Sequence, residues 1–383
     1  MSEYQYYEFQ AIDRPLDEAD REELRSISTR VRITATSFTN HYEWGDFKGN
    51  SFKLMTRWFD LHLYLANWGT RRLMIRLPKR LVDHARFADF LPDPDRAGVT
   101  DLVENLILDI YEAGEEHPEY QEWDDGSGWL AALAPLRTAM LSGDWRLPYL
   151  VWLMAVENGV LEDNELEPLP GIGPLSGGLE AFAGFFRIDP DLVQAAAETP
   201  AGATDSELSP EALRAVVAAI PESEKTDFLC RLAQGDLGIA TEVRNRIQRG
   251  SLPVAESARA KFRTVSDLRL RADEICRTRL AAEAERREAE RLRRERQEEK
   301  MRRERLDGVR RRGEDVWLEV ESEIERRNAS GYERAVSLIS DLRTLAEEDG
   351  DTEAFSDRLD SLRLRHERKG RFIERLDELD RTR

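Results

Sequence analysis

The sequence predicts an α+β N-terminal domain followed by a mostly α-helical region, a long charged single helix and a C-terminal helical array. Three observations predict it. Segments with period-two alternation lie between helical stretches near the N-terminus. From about residue 125 the apolar residues crowd nearly all round a helix, as "GWLAALAPLRTAML" and "LPYLVWLMAVENG" do. Beyond about residue 255 arginine and glutamate dominate, and short apolar stripes broken by "NASG" and "EDGD" follow. These changes set the expected domains at 1–115, 116–250, 251–312 and 313–383.

Taken in order, "YQYYEFQAI" (4–12) is aromatic-rich and partly alternating, which suits a strand. "DEADREELRSIS" reads as a helix with Asp17 at its N-cap. "VRITATSFT" (31–39) sets Val31, Ile33 and Ala35 against Arg32, Thr34 and Thr36, a half-buried strand. "YEWGDFKG" (42–49) is a polar turn around a buried Trp44. In "SFKLMTRWFDLHLYLANWG" the recurrence of Phe52, Met55, Phe59 and His62 or Leu63 predicts one amphipathic helix ending near Asn67 and Gly69. "RRLMIRLP" (71–78) is a strand stopped by Pro78, and "LVENLILDIYE" (102–112) fits strand or helix equally. A ferredoxin-like sandwich is one topology that satisfies this order.

Further along, "PLPGIGPLSGG" (168–178) is a connecting loop. It makes a poor phosphate cradle, because Pro174 removes a donor and no lysine follows. Asp189–Pro190 and Ser209–Pro210 each supply an N-cap with proline at the first helical position. "TPAGATDSELSP" (199–210) is a linker. Four tail helices are expected at about 314–327, 332–347, 352–368 and 370–380. The long helix should break at Gly308 or Gly313.

Charge is unevenly placed. Residues 251–383 hold 33 Lys+Arg and 33 Asp+Glu, so the first 250 carry the whole net charge of −19. An acidic body repels nucleic acid and anionic membranes at long range. Two cysteines are too few for a disulfide framework or a Cys-rich zinc site, and no cofactor or metal site is expected. No signal segment and no apolar run of membrane length is visible, so the expectation is a cytoplasmic protein without membrane contact.

The stretch 281–312 holds 13 Arg+Lys against 9 Asp+Glu. Glu283–Arg287, Glu290–Arg294 and Glu298–Arg302 lie four apart with glutamate first, the favourable orientation. Apolar residues are too sparse for a dry heptad seam. The first reading is a solvated, salt-bridged single helix. Weak coiled-coil pairing is a second. Nucleic-acid binding over 286–312 is a third, resting on Arg302, Arg303, Arg310, Arg311 and Arg312, though no aromatic residues interleave to stack on bases.

Other candidates are fewer. Arg71, Arg72, Arg76, Lys79 and Arg80, with Tyr64 and Trp68 just before them, make an anion- or partner-binding face, or else pair with the domain's carboxylates. His41, Glu43 and Asp46 could assemble an acid/base site. His62 is expected to be a satisfied, partly buried histidine, and Cys230 a small core residue. "EEHPEYQEWDD" (115–125) is a solvated acidic loop or a cation or basic-partner site.

The blocks "YYEFQAIDRPL", "YEWGDFKG" and "LYLANWGTRRLMIRLP" resemble the signature segments of a family of uncharacterised bacterial proteins. The tail, "YERAVSLISDLRTLAE" followed by "FSDRLDSLRLRHERKGRFIERL", is similar to the C-terminal tails of bacterial SWIM-type zinc-finger proteins. Their zinc ligands are absent here, since Cys230 and Cys276 lie far apart. The resemblance implies a shared docking module and a zinc-finger protein as a partner; Trp317 and Tyr332 are expected among the tail's contact residues. The function expected is therefore a non-enzymatic interaction protein of unknown oligomeric state.

Overall fold

In the computed structural model, residues 3–28, 30–45, 47–114, 124–199, 210–236, 238–250 and 262–381 are described. They form two compact units, Met1–Arg279 and Leu280–Arg383. An N-terminal antiparallel sheet, a helical region, a long helix and a helical tail follow one another, as the sequence predicts.

The sheet has seven strands: β1 (Gln5–Gln10), β2 (Arg32–Ile33), β3 (Ser37–Tyr42), β4 (Leu61–Ala66), β5 (Arg71–Pro78), β6 (Ala97–Asp101) and β7 (Asn105–Glu112). Their order is β2-β3-β1-β4-β5-β7-β6, and every pair is antiparallel. Because side chains alternate along a strand, the two faces carry different residues. On one face Leu61, Leu63 and Leu65 align with Leu73, Ile75, Leu106, Leu108 and Ile110. Helices α3 (Trp129–Leu133), α4 (Pro135–Leu141), α5 (Arg146–Glu157), α6 (Gly177–Phe186) and α7 (Pro190–Glu198) share that core. In α5 every residue from Leu147 to Val156 is buried, which explains its lack of a polar face.

The opposite face packs Phe9, Phe38, Met74 and Ile107 against helices α1 (Glu18–Ile27) and α2 (Ser51–Arg57). A capping box starts α1, with the Asp17 side chain accepting the Asp20 N–H. Buried charge holds the two layers together. Asp60, fully buried, accepts the Ile12 and Asp13 N–H groups at 2.6 and 2.9 Å and Arg76 Nη2 at 2.7 Å. Arg137 on α4 donates to the Arg76 carbonyl at 2.8 Å and to Asp13 at 2.6 Å. Helices α8 (Pro210–Ala219), α9 (Glu222–Ala233) and α10 (Ile239–Gly250) complete the unit.

Several expectations need correction. The helix expected over 51–69 ends at Arg57, and Leu61–Ala66 is strand β4. The strand expected over 31–39 is two short pieces, β2 and β3. Trp44 is 70% exposed rather than buried, and Cys230 is exposed. His62 is fully buried, and its Nε2 has no hydrogen-bond partner among the described residues. The linker 199–210 and the loop 115–125 lie almost wholly outside the described residues.

Helix α11 runs from Val265 to Arg312 without a break at Gly308, and ends at Gly313 with φ of +49°. Val265, Leu268, Ala272 and Ile275 place one stripe of its first turns in the core of the first unit. The second unit contains α12 (Asp315–Glu325), α13 (Ala329–Asp349), α14 (Thr352–Arg365) and α15 (Gly370–Arg381). Its core joins Val320, Ile324, Ala335, Ile339, Leu362, Phe372 and Leu376. Leu306 and Val309, from the end of α11, pack on Val316 and Leu345. No described helix is long and apolar enough to cross a membrane.

Candidate functional site

The predicted contact residues fall on separate surfaces. In the first unit, α1 and α2 cover only part of their sheet face. The remainder opens as a cleft of about 490 Å³. The strand order β1-β4-β5-β7 brings Tyr7, Tyr64, Arg72 and Tyr111 into one row across it, since each is a cross-strand partner of the next. Trp68 and Thr70 enter from the β4–β5 turn, and Phe47 and Phe52 from the segment around the start of α2. Gly69, at φ of +96°, makes that turn possible. Across from it, a Cβ on Gly114 would strike the Trp68 carbonyl.

The walls are aromatic. Tyr7 and Tyr64 lie 4.7 Å apart between ring centroids, and Tyr7 and Phe47 5.0 Å apart. Both tyrosine hydroxyls donate to Gln5 Oε1, at 2.7 and 3.2 Å. His62 forms part of the floor and stacks on Phe9 at 3.9 Å. Its Nδ1 lies 3.0 Å from the Glu8 carbonyl, which can only accept, so Nδ1 carries the proton and Nε2 is a bare acceptor. Burial pushes the ring's pKa down to about 3, so it is neutral. Arg72 is held by Asp109 through two bonds of 2.8 and 2.6 Å, and that pairing strengthens its positive charge.

The other members of the predicted basic strip are placed differently. Arg71 points to the opposite face, where it is 4% exposed and donates to the carbonyls of Gly184 and Phe185 at the end of α6. Burial pushes its pKa down to about 10. Arg76 is bound by Asp60, Lys79 pairs with Asp101, and Arg80 meets Asp236 and Glu242. Of the suggested acid/base trio, His41 and Glu43 are exposed, neither lines the cleft, and Asp46 is outside the described residues. Among the described residues no group of three His, Cys, Asp or Glu side chains could hold a metal ion.

In the second unit seven of the twelve arginines of α11 meet carboxylates. Arg287 pairs with Glu283 at 3.9 Å, as predicted, but Arg294 turns forward to Glu298 at 3.0 Å rather than back to Glu290. Arg302 and Arg311 are exposed, and Arg303 lies 3.7 Å from Glu299. Arg310 reaches Asp349 at 2.7 Å, Arg305 reaches Asp341 at 2.6 Å, and Arg312 pairs with Glu319. Trp317 is taken up internally, with Phe355 at 5.9 Å on one side and the Arg358 guanidinium 4.8 Å over its ring. Tyr332 packs on Phe372 at 5.9 Å and lines a groove of about 710 Å³ between α13 and α15. Val336 and Leu379 line it with Tyr332, and Glu333, Arg371, Glu374 and Arg375 add charged groups.

Tyr64, Trp68 and Arg72, which the sequence singles out, line this cleft, and Tyr7, His62 and Tyr111, which it does not, join them there. The usable signal was the shared parity of His62 and Tyr64 once Leu61–Ala66 is read as a strand. Compared with protein-family models, with curated proteins and with solved structures, the chain finds no match.

Proposed function

We propose that the chain is a non-enzymatic interaction protein that docks a protein partner through its C-terminal helices. The observation that carries this reading is the groove between α13 and α15, with Tyr332, Val336 and Leu379 as its apolar lining and charges of both signs around them. Apolar anchors at helical spacing with a mixed charged rim suit an amphipathic helix laid along the groove. The similarity of this tail to those of SWIM-type zinc-finger proteins makes such a protein the first partner to look for.

Nucleic-acid binding over 286–312 is the competing reading. Arg305, Arg310 and Arg312 are already taken by carboxylates of the same unit, which leaves less charge for phosphate. The test is a pull-down of full-length protein beside a Val336→Glu, Leu379→Glu variant. A partner held by the wild type and lost from a still-folded variant supports docking. Nuclease-sensitive material retained by both forms supports the nucleic-acid reading instead.

A further inference from the structure

We propose that the cleft of the first unit binds a small, neutral, planar heteroaromatic molecule carrying a carbonyl beside a ring N–H, the edge chemistry of cyclic amides and nucleobases. This inference stands apart from the docking reading of the tail. The cleft volume of about 490 Å³ falls within the range of small-ligand sites. Its aromatic lining selects a flat ring, because offset and tilted stacking at the spacing seen between Tyr7 and Tyr64 favours a third ring beside them.

Two polar groups define the ligand's edge. His62 offers Nε2, an acceptor that has no partner among the described residues and is shut off from solvent. Leaving a buried acceptor unsatisfied is costly, and a donor that reaches it recovers that cost. Arg72 spends Nε and Nη2 on Asp109, so Nη1 is its remaining donor group. An acceptor and a donor on the protein call for a donor and an acceptor on the ligand, which is a lactam edge. Because Nε2 is covered, the entering ring has to part the half-buried aromatic side chains, a side-chain rotation of the kind common on binding.

Charge excludes the alternatives. Among the described residues no carboxylate lines the cleft to attract a cation. Asp109 already neutralises Arg72, and the first 250 residues carry the net charge of −19, so an anion or a phosphate strand is repelled.

The test is ligand-observed NMR and calorimetry on the full chain with matched probes. These are 2-quinolone, N-methyl-2-quinolone, quinoline-2-carboxylate and N-methylquinolinium, with oligouridylate to present the same edge on a strand. The expected result is that 2-quinolone binds most tightly and that blocking its N–H weakens binding about fivefold or more. His62→Phe and Trp68→Ala should each weaken 2-quinolone as well. Trp68 lies on a turn outside the core, so its variant keeps the test decisive if His62→Phe fails to fold. Absence of binding, equal binding of the N-methyl probe, preference for a charged probe or for oligouridylate, or indifference to both substitutions would overturn the proposal.

Discussion

At the scale of single residues, the first unit depends on two buried titratable groups, Asp60 held ionised by its partners and His62 held neutral by burial. Burial raises the Asp60 carboxyl, but Arg76 and the Asp13 and Ile12 N–H groups outweigh it and hold its pKa below the usual value. Asp60→Asn leaves Arg76 buried without its counter-charge, and it is expected to cost about 3–5 kcal/mol in urea unfolding. The carboxyl is lower in the folded state, so its contribution is present above the unfolded value of about 3.9 and fades as pH falls below it. His62 acts over a different window. In the unfolded chain it takes a proton near 6.5, in the fold near about 3, so the unfolded state binds more protons between these values. Stability should therefore be full above pH 6.5 and fall on the order of 5 kcal/mol as pH drops towards 3. Unfolding followed against pH checks this, and His62→Phe should remove that part of the slope.

At the scale of elements, helix α11 joins stretches of different character. Its first turns are amphipathic and packed, its middle is solvated, and its end is packed again through Leu306 and Val309. Gly308 lies inside the last packed stretch, and a Cβ there would meet nothing within 4 Å. Gly308→Ala is therefore expected to raise the stability of the second unit by roughly 0.5–1 kcal/mol, read from its thermal unfolding. The sequence made the long helix and the four tail helices legible because their charge pattern and apolar stripes are local. It misled over 51–69 because Phe52, Met55 and Phe59 fit a helical period, while β4 is buried at nearly every position and shows no alternation. β6 escaped because it is a short edge strand of small and polar residues. The cleft was legible only as Tyr64, Trp68 and Arg72. Tyr7 and Tyr111 come from β1 and β7, and strand order is not written in local spacing.

At the scale of the whole molecule, each unit has its own core, Phe9 and Leu63 belonging to one and Ile339 and Phe372 to the other. Calorimetry is expected to resolve two transitions, with Asp60→Asn lowering one and Gly308→Ala raising the other. The excess acid lies in the first 250 residues and residues 251–383 are balanced, so apolar docking rather than long-range attraction should govern partner binding by the tail. The most direct measurement is the affinity of the full-length protein for its captured partner between about 50 and 200 mM salt. A nearly flat dependence is expected, and Val336→Glu with Leu379→Glu should remove binding altogether. A steep fall with salt that both forms share would contradict it and place the active surface on the arginines of α11.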